Sequence, residues 1–141
     1  MATFVKFNQF VEDLGKKVHD LSSDTLKLLL TNSAPIAANS VKGDLTEISS
    51  GNGYSAGGAT VASVTYEQTS GVAKLSGSDN VITASGGSIG PFRYVVLYND
   101  TPSSPADPLI GFWDYGASIT LLNGETLTVD FDGSNGILTV T

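Results

Sequence analysis

From residue 59 onward the chain repeats one pattern: a short run of β-branched and aromatic residues, closed by Gly, Asn, Asp or Ser. Runs at 60–66, 72–75, 80–84, 92–98, 109–115, 119–122, 126–131 and 136–140 read as strands. Their spacing of about ten residues is that of antiparallel β architecture. Phe92-Arg93-Tyr94-Val95-Val96-Leu97-Tyr98 carries apolar side chains on both faces, as a strand covered on both sides requires. Asn123-Gly124 lies between two runs and predicts a two-residue hairpin. The expected fold is mainly β: an antiparallel β-sandwich, jelly-roll-like, with one N-terminal amphipathic helix. A chain of 141 residues closes one core and is short for two, so 1–141 reads as a single domain.

The helix is expected over 7–21. Phe7, Phe10, Val11, Leu14, Val18 and Leu21 recur at helical spacing and mark one apolar face. Asn8 is a candidate cap. Glu12 and Asp13 suit the start of the helix dipole, and Lys16 and Lys17 its end. Leu26, Leu28 and Leu30 then alternate as in a strand. Residues 32–58 are rich in Gly, Asn and Ser and read as a long loop, with Leu45 and Ile48 pinning its middle. Loops of this length in compact domains usually serve a function, here that of an assembly arm. The main β-body spans 59–141.

Charge is divided along the chain. Residues 1–42 are net +1 and residues 43–141 net −8, with no basic residue after Arg93. A weakly basic element on an acidic body suggests one face for a partner and one for solvent. Only 7 residues are Lys or Arg, too few for the clusters that neutralise a phosphate backbone or an anionic membrane. Neither nucleic acid nor a membrane is an expected partner. Cysteine is absent, which excludes disulfides and thiolate chemistry. No apolar run approaches the ~20 residues of a membrane span. Charges at Glu12, Asp13, Lys16 and Lys17 interrupt any secretory signal, so the protein is expected to work where it is made, or to leave the cell by lysis or as part of an assembly.

Candidate chemistry is sparse. His19 is the sole histidine, and near a helix C-terminus a surface or capping position is expected. Asp130-Phe131-Asp132-Gly133-Ser134-Asn135-Gly136 alternates carboxylates, but Asn135 stands where a calcium loop needs Gly and Thr141 where it needs Glu. A turn is the better account. Gly51-Asn52-Gly53 and Gly86-Gly87-Ser88-Ile89-Gly90 lack the spacing and the lysine of phosphate loops. Asp100, Asp107 and Asp114 contain carboxylates of the kind glycosidases pair; their placement fits solvated turns. Trp113 and Tyr115 share one face of a strand while Phe112 takes the other. Core packing is expected of that pair, and an exposed pair would form a contact patch for sugar or protein. No catalytic, cofactor-binding or metal-binding residue is assigned, and no enzymatic activity is expected.

Several segments resemble small virion structural proteins of tailed bacteriophages. They include Lys6-Phe7-Asn8-Gln9-Phe10-Val11-Glu12-Asp13-Leu14, Ser23-Asp24-Thr25-Leu26-Lys27 and Leu30-Thr31-Asn32-Ser33-Ala34-Pro35. Gly51-Asn52-Gly53-Tyr54-Ser55-Ala56-Gly57-Gly58-Ala59, residues 90–101, residues 109–116 and residues 124–139 continue the likeness over nearly the whole chain. The resemblance implies a head decoration or cement protein, made in the host bacterial cytoplasm and placed on the virion head surface. Its partners would be the major capsid protein and itself, as a homotrimer at threefold positions. The arm would make its contacts through Asn39, Lys42, Leu45, Ile48 and Tyr54. The alternative is a tail, tail-tip or receptor-binding module, with glycan bound at Trp113 and Tyr115.

Overall fold

The computed structural model describes residues 2–141. Its elements follow in the order β1 (Phe4–Lys6), α1 (Asn8–Gly15), β2 (Leu26–Thr31), β3 (Ala59–Thr60), β4 (Thr65–Thr69) and β5 (Val72–Ser76). They continue with β6 (Asn80–Thr83), β7 (Ile89–Asn99), β8 (Leu109–Leu121), β9 (Thr126–Val129) and β10 (Leu138–Val140). A 3-10 turn at Lys42–Asp44 interrupts the long segment between β2 and β3. The chain is mainly β, and the strand pairs are antiparallel. The largest sheet has the order β1-β8-β7-β2-β3; β10-β5-β4 and β6-β9 form two smaller ones.

Strand β7 is central to the large sheet, and its two faces feed two cores. On one face Leu26, Leu28, Leu30, Val95 and Leu97 join Leu75, Ile82 and Leu138 of the smaller sheets. On the other, Leu29, Val96, Tyr98 and Leu109 meet Phe7, with Leu45 packed against them. Each fully buried Leu or Val contributes about 1.5–3 kcal/mol relative to exposure. A register shift in the β7–β8 ladder leaves Ile110 unpaired between Leu109 and Gly111. Beyond this bulge Phe112 joins the second core and Trp113 the first. Gly111 makes room for β1: a Cβ there would lie 2.2 Å from the Phe4 ring.

Several expectations are corrected. The helix ends at Gly15, well short of residue 21, because Lys17 takes a left-handed conformation (φ 64°). The Val18 N–H then closes back on the Asp13 carbonyl at 3.0 Å, as in a Schellman turn. Asn8 caps nothing; Phe7 holds the cap position, and the Asn8 N–H donates to the Ala37 carbonyl at 2.9 Å. Val11, on the expected apolar face, is 61% exposed.

The strands differ as well. Residues 60–66 split into β3 and β4 where Ser63 adopts φ 55°, and 109–115 and 119–122 are one strand. Asn123-Gly124 turns the chain without making a hairpin: β8 pairs with β7 and β1, and β9 pairs with β6. A type I′ hairpin needs positive φ at both central residues, whereas here only Gly124 has it (φ 90°). The turn is instead tied to the end of β6, where Ala84 donates to Glu125 and accepts from Gly124.

Candidate functional site

The segment expected to be an arm lies along the large sheet. Strand β3 covers β2 only as far as Leu28, which leaves the Leu30 backbone at an open edge. The segment finishes that edge. Ile48 N–H donates to the Leu30 carbonyl at 3.1 Å, and the Leu30 N–H donates to the Tyr54 hydroxyl at 3.0 Å. Tyr54 donates in turn to Glu47 Oε1 at 2.7 Å, which also accepts the Gly57 N–H at 2.7 Å. The Tyr98 hydroxyl donates to the Gly57 carbonyl. Burial pushes the Tyr54 and Tyr98 phenols well above the usual range, so both remain donors. These bonds satisfy groups that burial would otherwise leave unpaired.

Each arm residue singled out for partner contact thus has a partner within the chain. Tyr54 is 3% exposed, and its ring is part of the first core. Asn39 closes a local turn, its side chain accepting from the Ile36 N–H at 2.8 Å. Lys42 pairs with Asp107 at 3.6 Å and sits over the Tyr98 ring, 5.3 Å from its centroid. Leu45 packs on the second core and Ile48 on the first.

The titratable groups are dispersed. Asp100 pairs with Lys27 at 3.4 Å, and Asp114 accepts two bonds from Arg93 at 2.8 and 3.0 Å. The guanidinium holds the Asp114 carboxyl below the usual range. With Lys42 on Asp107, the three carboxylates each have a separate cation. Asp132 accepts the Ser134 and Asn135 N–H groups at 2.7 and 2.9 Å, building an Asx-type turn. His19 is corrected from surface to interior: it is 6% exposed, against Phe10, and its Nδ1 lies 3.1 Å from the Asn99 amide nitrogen. Burial lowers its pKa. Among the described residues no group of three or more His, Cys, Asp or Glu could hold a metal ion. No helix among them is long and apolar enough to cross a membrane.

Trp113 and Tyr115 do come together, at an apolar groove of about 220 Å³. Phe92, Val95 and Trp113 line it from the large sheet, and Leu127 to Asp130 from β9 and its end. Trp113 is half-buried, flanked by Phe4 at 4.9 Å and Phe131 at 5.9 Å between ring centroids. Tyr115 is 58% exposed. The contribution of β9 was hidden in the sequence, because the expected hairpin would have zipped it onto β8. Alternation of Leu127 and Val129 was visible; its pairing with β6 was not.

Fold and site together define a mainly β protein with an aromatic-walled groove and dispersed carboxylates. No protein-family model, curated protein or solved structure matches the chain.

Proposed function

We propose that this chain is a non-enzymatic structural protein of a tailed-phage virion that decorates the head and bridges capsid subunits. In this reading the three sheets form a jelly-roll-like β-sandwich, and three copies meet at threefold positions. One observation carries the assembly reading. The Asn8–Ala37 hydrogen bond joins the helix to the 32–58 segment, and each presents a large apolar side chain to solvent: Val11 and Ile36 are both 61% exposed. Lys16 caps the same helix at its C-terminal end, and Lys17 follows it. The weakly basic part of the chain therefore offers apolar contact area, while the acidic body supplies the opposite charge character. Exposed apolar side chains on ordered elements fit a contact face.

The receptor alternative rests on Tyr115, whose ring is open. Glycan stacking would also want a free Trp113 face, and that ring is flanked by Phe4 and Phe131. Decoration is the better-supported reading.

Its test is copy number in purified parent virions, by quantitative mass spectrometry against the major capsid protein. A count comparable with the capsid protein is expected. Absence, or a count at a small percentage of it, refutes decoration. Val11→Glu with Ile36→Glu should abolish binding to purified capsids while leaving the thermal midpoint unchanged. Undiminished binding would remove the contact face from the model. Deleting the whole segment is the wrong experiment, since it removes Tyr54 and Glu47 from the fold.

A further inference from the structure

We propose that the groove between β8 and β9 receives an extended peptide segment of a partner, with an Arg or Lys side chain as its anchor. Four consecutive residues, Leu127 to Asp130, line the groove. Side chains alternate along a strand, so a wall built from consecutive residues is a strand edge and not a strand face. Among the described residues β9 pairs with β6 alone, which leaves that other edge unpaired. Unpaired strand edges recruit extended chains by backbone hydrogen bonding, and adjacent pockets select their side chains.

Size and charge select the anchor. A cavity of about 220 Å³ falls below the roughly 300–1,000 Å³ of small-molecule sites and suits a single long side chain. Tyr115 supplies an exposed aromatic wall, and Asp130, also exposed, lines the same groove. Aromatic faces beside a carboxylate favour a cation. Arg93, the last basic residue of the sequence, is bound to Asp114.

This inference deepens the assembly reading by naming a contact surface and the chemistry of what fills it. The test uses the full chain and two acetylated, amidated pentapeptides, Thr-Val-Arg-Val-Thr and the same sequence with Glu at its centre. Backbone amide shifts and the fluorescence of Trp113, the one tryptophan, report binding. The arginine peptide should perturb Tyr115 and residues 127–130 and bind roughly tenfold more tightly than the glutamate peptide, a difference of about 1.4 kcal/mol. Asp130→Asn should reduce that preference, and Tyr115→Ala should weaken the arginine peptide further. Equal binding of the two peptides, shifts confined to other surfaces, or no perturbation by the arginine peptide at millimolar concentration would each overturn the proposal. So would chitotriose or maltotriose perturbing the groove where the peptide does not. A groove that takes the arginine peptide in a protein absent from virions would keep this inference and sink the virion reading.

Discussion

Tyr54→Phe isolates the energetic role of the long segment. The substitution keeps the ring in the core and deletes one hydroxyl. That hydroxyl accepts the Leu30 N–H at 3.0 Å and donates to Glu47 at 2.7 Å. Leu30 is fully buried, so its N–H loses its partner without direct access to water. Leaving a buried donor unpaired costs about 1–3 kcal/mol, and losing a bond to a charged group adds to it. Glu47 keeps the Gly57 N–H, which limits the second loss. The expected destabilisation is about 2–4 kcal/mol, or roughly 10 °C in thermal midpoint for a domain of this size. Urea unfolding would measure the first figure. Amide hydrogen exchange would locate it: Leu30 and Ile48 should lose protection before the centre of β7. A midpoint shift under about 3 °C with Leu30 still protected would refute the idea that the segment completes the β2 edge.

Three further perturbations test other parts of the structure. Gly111→Ala places a Cβ 2.2 Å from the Phe4 ring, so β1 should detach from β8. Limited proteolysis should then cut near residues 2–6, and an uncleaved variant of wild-type stability would contradict the packing. His19 has a folded pKa below its ordinary 6.5, so the unfolded chain takes up the proton first as pH falls. Stability contributed by neutral His19 should be complete above about pH 6.5 and decline below it until the folded pKa is reached. His19→Gln should flatten that part of the pH profile of the urea midpoint; an unchanged profile would exclude His19 as its source. Arg93→Ala should leave the urea midpoint almost unchanged despite the two-bond geometry, because both partners are substantially exposed. A larger loss would mean that the pair orders the β7–β8 ladder.

The parts of the fold legible in the sequence are those fixed by local pattern. Leu26, Leu28 and Leu30 alternate, and they enter one core together. The 92–98 run is apolar on both faces, and β7 is covered on both. The helix end was not legible, because a lysine at φ 64° carries no sequence signature of the kind Gly would give. Strand β1 has no sequence signature, because three residues are too few to display a period. His19 was misplaced for the same reason as the helix end. Once the chain turns at Lys17, the histidine leaves the helix and packs against Phe10 and Asn99.

The groove shows why a site can be invisible when its residues are not. Trp113, Tyr115, Leu127 and Val129 all fall within runs that read as strands. Had Asn123-Gly124 closed a hairpin, β9 would have sealed the edge of β8 beyond Trp113, where β1 stops pairing. The chain instead crosses to β6, held by the Ala84–Glu125 and Ala84–Gly124 bonds at 2.9 and 2.7 Å. An Asn-Gly pair specifies that the backbone turns; which strand the outgoing segment joins is decided by burial of Ile82 and the packing of Leu127 and Val129 against the first core. The space left between β8 and β9 is thus a product of non-local pairing, and the side chains lining it were selected first for the core they border.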